Sequence, residues 1–134
     1  MGPFSLFEIA GRAMSAQLVR LNTTASNLAN AGAVAGSAET AFRPLKPVFR
    51  TLYDGASGRA TVDVAGVVAA RAEPGRRHEP GHPLADAQGY VFTAAVDPFA
   101  ELVEMVETAR QFQNSIEVLE TGKALMLETL RLGR

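Results

Sequence analysis

The apolar positions of the first thirty residues recur in alternating steps of three and four. This spacing is that of a heptad seam, which keeps one stripe of a helix facing a partner helix. The pattern predicts a helix over residues 3–31. Its other faces carry few charges, and its last turns are rich in asparagine, serine and threonine, which form helices weakly. We therefore expect this helix to need neighbours. The seam positions are Phe4, Phe7, Gly11, Met14, Leu18, Leu21, Ala25 and Leu28.

A second seam of the same kind predicts a helix over residues 97–132. Asp97 followed by Pro98 is typical of a helix start, and Gly133 is typical of a helix end. Up to about Asn114 the pattern indicates an ordinary polar back. Beyond it, further apolar residues fall off the seam, and a helix that is apolar almost all round is normally buried. The seam positions are Leu102, Met105, Ala109, Phe112, Ile116, Leu119, Lys123, Met126 and Leu130.

The segment between the two helices contains three short runs with β-like character. They cover residues 43–53, 60–70 and 89–96, and the glycine-containing stretch 31–40 reads as a flexible connection. The fold class we predict is mainly α, with long N- and C-terminal helices paired as a coiled-coil-like hairpin and a small β-containing cap between them. The chain is thus divided into an N-terminal helix (1–32), a loop and small β-rich middle segment (33–96) and a C-terminal helix (97–134).

The composition and net charge of the chain exclude several classes of function. The chain has 134 residues, 47% of them hydrophobic, and a formal net charge of −1, so no basic excess points to nucleic acid. It contains no cysteine, which excludes a disulfide framework and a thiolate site. The first twenty residues lack the charged start and unbroken apolar core of a secretory signal. We expect a cytoplasmic protein, or one exported by a route without a cleaved signal.

One short stretch, His78-Glu79-Pro80-Gly81-His82, matches the H-E-x-x-H pattern of zinc proteases. That motif works when a helix places both histidines on one face. Here proline lies inside the turn and another proline follows the second histidine, and residues before proline avoid helical geometry. The pattern therefore favours a rigid extended loop over a zinc site. We expect no metal, no cofactor and no catalytic residue.

Two stretches resemble the flagellar rod and hook proteins of bacteria. "TTASNLANA" (residues 23–31) is similar to their shared N-terminal signature. "HEPGHPLADAQGYV" (residues 78–91) is similar to a Tyr-x-Pro-x-His-Pro…Gly-Tyr-Val stretch of the proximal rod branch, although His78 stands where that branch usually has tyrosine. Residues 101–134 also look like that branch's C-terminal helix.

The resemblance implies a structural subunit of the basal-body proximal rod, a hollow drive shaft built from terminal helices. It implies export by the flagellar type III apparatus without a cleaved signal peptide, and a mature location in the periplasmic rod. The implied partners are other copies, other rod proteins, the membrane-embedded ring and the export apparatus, with no nucleic acid and no small-molecule substrate. The alternatives are a non-flagellar coiled-coil adaptor and a zinc-dependent hydrolase.

From the seams and the signature together we predict an assembly interface. Apolar side chains are expected to be covered by neighbouring subunits, and the two asparagines to make hydrogen-bonding contacts. The predicted residues are Leu18, Leu21, Asn27, Leu28, Asn30, Phe112, Ile116, Leu119, Met126 and Leu130.

Overall fold

Two long helices dominate the fold. The structure is a computed structural model, and it describes residues 2–133. The terminal residues Met1 and Arg134 lie outside the described residues. Helix α1 has 27 residues and α2 has 35, so the mainly α prediction is confirmed. The elements in order are α1 (Pro3–Ala29), β1 (Val34–Ala35), β2 (Leu45–Asp54), β3 (Arg59–Ala69), β4 (Gly75–His78), β5 (Tyr90–Thr93) and α2 (Pro98–Leu132).

The helix ends are fixed by the residues that the sequence indicated. The Asp97 carboxylate accepts hydrogen bonds from the backbone N–H groups of Phe99 (3.0 Å) and Ala100 (3.4 Å). Pro98 occupies the first turn, where its missing N–H has no helical partner to lose. At the other end the Gly133 N–H donates to the Thr129 carbonyl. The predicted start and end of α2 are therefore confirmed.

The strands form two antiparallel sheets. Strands β2 and β3 pair from Leu45–Ala69 to Asp54–Arg59, with a bulge between Val48 and Phe49. The second sheet has the order β1–β5–β4. Strand β1 lies inside the stretch predicted to be a flexible connection, and β4 was not predicted at all. Residues 31–40 are thus partly held in a sheet.

The β2–β3 hairpin lies along α1. The Asn27 side chain bonds to Leu45 at the start of β2. Near the other end of the helix, the Arg59 guanidinium donates to the Glu8 carboxylate at 2.7 Å. The larger sheet element therefore flanks the helix through much of its length instead of covering only the end of a helical hairpin.

The two helices pack side by side in antiparallel directions. Leu6 lies against Gly122, where an added Cβ would come within 2.6 Å of the leucine Cδ2. Gln17 donates to Gln111 at 2.9 Å, and Asn27 donates to Glu101 at 3.3 Å. Close packing of this kind needs small or polar side chains between the helices.

Pairing of the helices through the heptad seams predicted from the sequence is not confirmed, because several seam positions are exposed. Phe4 is 77% exposed and Leu18 47% exposed, and Leu102, Ala109 and Leu130 are also exposed. The buried positions are instead small or hydroxyl-bearing: Ala10 and Thr24 on α1, Thr108 and Gly122 on α2. Periodicity identified the helices correctly, but it did not indicate these buried small and hydroxyl-bearing positions, whose hydrophobicity is low. None of the helices in the described residues is long and apolar enough to cross a membrane.

Candidate assembly interface

An apolar groove lies where the start of α1 meets the end of α2. Its volume is about 550 Å³. Phe4, Leu125 and Leu130 line it with side chains that are 77%, 64% and 64% exposed. Gly122 lets Leu6 approach closely and so shapes the floor. The lining residues, called here the end groove, are Phe4, Leu6, Gly122, Leu125, Met126, Thr129 and Leu130.

A second apolar surface lies on the outer side of the first half of α2. Phe99 is 80% exposed and Val103 70% exposed, and Leu102 and Val106 are exposed beside them. These four residues, the outer patch, border on Glu107 and Arg110. The sequence analysis predicted an ordinary polar back for this part of the helix, and that prediction is wrong. The three-residue and four-residue steps from 99 to 103 to 106 were the available signal, hidden by the stronger seam.

The predicted interface residues fall into three groups by burial. Leu18 and Leu130 are exposed. Asn27 is buried, with 3% of its surface exposed. The other seven are half-buried: Leu21, Leu28, Asn30, Phe112, Ile116, Leu119 and Met126. The end groove brings together two of the ten, Met126 and Leu130.

The two asparagines are engaged inside the chain. The Asn27 Oδ1 accepts from the Leu45 N–H at 2.7 Å, while its Nδ2 donates to the Leu45 carbonyl at 2.9 Å and to Glu101 at 3.3 Å. Both amide N–H groups of Asn27 thus have internal partners. In the structure, Asn27 is thus engaged by contacts within the chain. Asn30, directly after α1, donates to the Ser26 carbonyl in the last turn of that helix at 2.8 Å.

An ion pair sits between the helices near Asn27. Arg20 of α1 contacts the Glu104 carboxylate of α2. Its guanidinium also lies 3.4 Å from the Gln111 side-chain oxygen, and Gln111 accepts from Gln17. Because such polar contacts are directional, they fix the register of one helix along the other. The end groove and the outer patch stay exposed.

The stretch with the zinc-protease pattern is a strand end and a turn. His78 ends β4, and its ring packs edge-on against Tyr90 with 4.9 Å between centroids. The His82 Nδ1 accepts from the Leu84 N–H at 3.0 Å. The two histidines therefore do not share a helix face, and among the described residues no group of three potential ligands could hold a metal.

Asp86 orders the same turn. Its Oδ1 accepts from the backbone N–H groups of Tyr90 and Gln88, both at 2.9 Å. The Tyr90 bond above all, then the Gln88 bond and the nearby Arg76, hold the pKa of the Asp86 carboxyl below its usual range. A lowered pKa means that this carboxylate supports the turn at neutral pH and that the support is lost only as pH falls through the lowered pKa.

Two parts of the chain match models of known families. Residues 7–37 match the family described as flagella basal body rod protein. Residues 87–132 match the family described as flagellar basal body rod FlgEFG protein C-terminal. Both descriptions are of rod proteins, a class of structural subunits, and the matched segments contain most of α1 and all of α2.

Whole-length relatives point to one family within that class. The chain is 46% identical to the flagellar basal-body rod protein FlgC of Salmonella typhimurium and 44% identical to that of Escherichia coli O6:H1, with both chains covered completely. It is 31% identical to FlgC of Aquifex aeolicus over 96% of each chain. The chain belongs to the FlgC family of flagellar basal-body rod proteins. It is a structural subunit of the rod and not an enzyme.

Proposed function

We propose that the chain is a subunit of the proximal part of the rod, whose terminal helices pack against other copies and other rod proteins to form the wall of a hollow shaft. The observation that carries this proposal is the end groove. Its large side chains Phe4, Leu125 and Leu130 are more than half exposed. Exposed apolar surface of this extent marks an interaction site when it is contiguous. Covering it at about 25 cal/mol per Å² would favour association.

The two apolar surfaces differ in position, and this difference favours a tube over a closed dimer. The end groove lies where the second half of α2 meets the start of α1, and the outer patch lies on the opposite face of the first half of α2. A two-fold dimer uses one self-complementary surface. Two distinct surfaces suit head-to-tail contacts, which generate helical assemblies when they do not close.

The interface we propose joins these surfaces with the predicted seam positions. On α1, Leu18 is 47% exposed. On α2 the half-buried side chains have an uncovered edge that a neighbour could complete. The proposed residues outside the groove are Leu18, Leu21, Leu28, Phe112, Ile116 and Leu119, with Asn30 at the margin.

We also propose that the chain reaches the rod through the flagellar type III export apparatus, without a cleaved signal peptide, and stands in the periplasm beside the membrane-embedded ring. Export through a narrow channel requires an unfolded chain. A helix pair held mainly by polar contacts and small residues suits this route, because the ordering entropy of about 1–2 kcal/mol per residue can be offset once neighbours cover the apolar surfaces.

A charge placed in the end groove tests the proposal. We expect Leu130→Asp to abolish swimming in cells that lack their own copy of the gene, because a carboxylate cannot be buried there without a partner. The free energy of unfolding of the isolated chain should change by less than about 1 kcal/mol, since the side chain is exposed in it.

The matched control is Gln113→Asp, which adds the same charge to an exposed position of α2 on another face. Cells with this variant should swim normally. Electron microscopy of isolated basal bodies should show rods in the control and none with Leu130→Asp. Normal rods in Leu130→Asp cells would remove the end groove from the interface.

A further inference from the structure

The Asn27 side chain makes a pair of hydrogen bonds that ordinarily belongs to a β-strand. Its Oδ1 accepts from the Leu45 N–H at 2.7 Å, and its Nδ2 donates to the carbonyl of the same residue at 2.9 Å. A carboxamide has the donor and the acceptor of a peptide group side by side. The side chain thus presents to Leu45 the two groups that a neighbouring strand would present.

The position of Leu45 in its sheet explains why those groups are available. Leu45 pairs with Ala69 of β3, and the Ala70 N–H donates to the Pro44 carbonyl next to it. In antiparallel pairs, hydrogen-bonded and non-hydrogen-bonded positions alternate. Leu45 therefore occupies a non-hydrogen-bonded position, and its N–H and carbonyl point away from β3. Because this sheet has two strands, that edge has no third strand to bond to.

Asn27 also reaches the second helix. Its Nδ2 lies 3.3 Å from the Glu101 carboxylate in the first turn of α2. The residue is 3% exposed, so its polar groups would be costly to bury without these partners. One side chain thus ties together the end of α1, the start of β2 and the start of α2.

We propose that Asn27 is the positioning residue that fixes the β2–β3 hairpin on the helix pair, by standing in for a third strand at Leu45. The chemistry is specific to asparagine at this position. Aspartate would lack the donor for the Leu45 carbonyl and would bring a second negative charge to Glu101, and glutamine would displace the amide by one methylene. In the rod, this contact would carry load between the terminal helices and the middle segment. The positioning itself concerns the fold of the chain and does not depend on its place in the rod.

Hydrogen exchange of the Leu45 amide, followed by NMR on the full-length chain, tests the proposal. Two variants remove the bonds: Asn27→Ala, and Asn27→Leu, which keeps the branching and the number of heavy atoms of the side chain. We expect the Leu45 amide to exchange at least about tenfold faster in both variants than in the native chain, while amides in the middle of β3 change by less than about threefold. Asn30→Ala is the matched control, because the Asn30 side chain donates only to the Ser26 carbonyl of α1, and it should leave Leu45 unchanged.

Each other outcome overturns the proposal. An unchanged Leu45 rate in Asn27→Leu would mean that the two bonds do not hold this edge. An equal acceleration of every amide in both variants would make Asn27 an ordinary part of the core with no local positioning role. Failure of the groove variants to affect rods, by contrast, would leave the Leu45 result untouched.

Discussion

Two glycines have a left-handed backbone, and only one of them is enclosed. Gly58, in the turn between β2 and β3, has φ +65° and open space where a Cβ would stand. Gly89, just before β5, has φ +83°, and a Cβ there would lie 3.1 Å from the His78 ring and 3.2 Å from Pro80. His78, the first histidine of the zinc-protease pattern, thus helps to enclose a glycine turn.

The two glycines form a matched pair for mutation. Gly58→Ala should lower the free energy of unfolding by about 1–2 kcal/mol, the cost of a left-handed alanine. Gly89→Ala should cost about 1 kcal/mol more, because its methyl group also meets the histidine and the proline. Thermal or urea unfolding of both variants measures the difference. Equal losses would show that the enclosure of Gly89 adds nothing.

Among the elements, those with end signals were predictable and those without were not. Asp97 and Gly133 bound α2 as expected, since a capping carboxylate and a terminal glycine act locally. Strand β4, Gly-Arg-Arg-His, is exposed at each position. Nothing in its hydrophobicity separates it from a loop, and only the pairing of Arg77 with Val91 and of its neighbours with β5 makes it a strand.

The side of each helix that meets its partner was not predictable in the same way. The seam at Leu18 follows the heptad rule, yet the polar contacts between α1 and α2 are made by Gln17, Arg20 and Asn27. Small residues let two helices approach, and their low hydrophobicity hides them in a periodicity analysis. Leu18 is 47% exposed, and its place in an interface between subunits stays a prediction.

Aspartate substitutions at a buried and at an exposed position of α1 test which side of this helix packs within the chain. Ala10→Asp places a carboxylate at a site that is 6% exposed and should reduce the free energy of unfolding by about 2–4 kcal/mol. Leu18→Asp, eight residues further along the same helix, should cost less than about 1 kcal/mol because the leucine is already half in solvent. Circular dichroism during urea unfolding measures both. A larger loss for Leu18→Asp would restore the heptad seam as the contact between the helices.

At the scale of the whole molecule, the sequence indicated that the helices carry more apolar surface than one chain covers, and the exposed side chains agree. The sequence could not indicate which of these apolar side chains form a continuous surface. The end groove forms only because the antiparallel pairing brings Phe4 beside Leu130. The exposure of the outer patch at Phe99, Val103 and Val106 could be inferred only once the side of α2 that α1 covers was known. Both depend on tertiary packing.

The same distribution of contacts predicts which part of the molecule is ordered last. Beyond Gly122, α2 meets only the first turns of α1 through the end groove, whereas the middle of α1 is flanked by both α2 and the β2–β3 hairpin. Segments with few buried contacts open most readily. Within the two helices, we expect trypsin to cut the isolated chain first after Lys123 and Arg131, both exposed near this end.

In intact basal bodies, neighbouring subunits would cover the end groove and cleavage after Lys123 should slow by at least about tenfold, because binding that favours the ordered state suppresses local opening. Cleavage after Arg50 is the internal control. This residue is exposed but lies within the paired β2 strand, with its guanidinium 2.8 Å from Asp63, so it should resist trypsin in both samples. If Lys123 resists as well as Arg50 in the isolated chain, the end of α2 is already held by the chain itself, and ordering upon assembly must be abandoned.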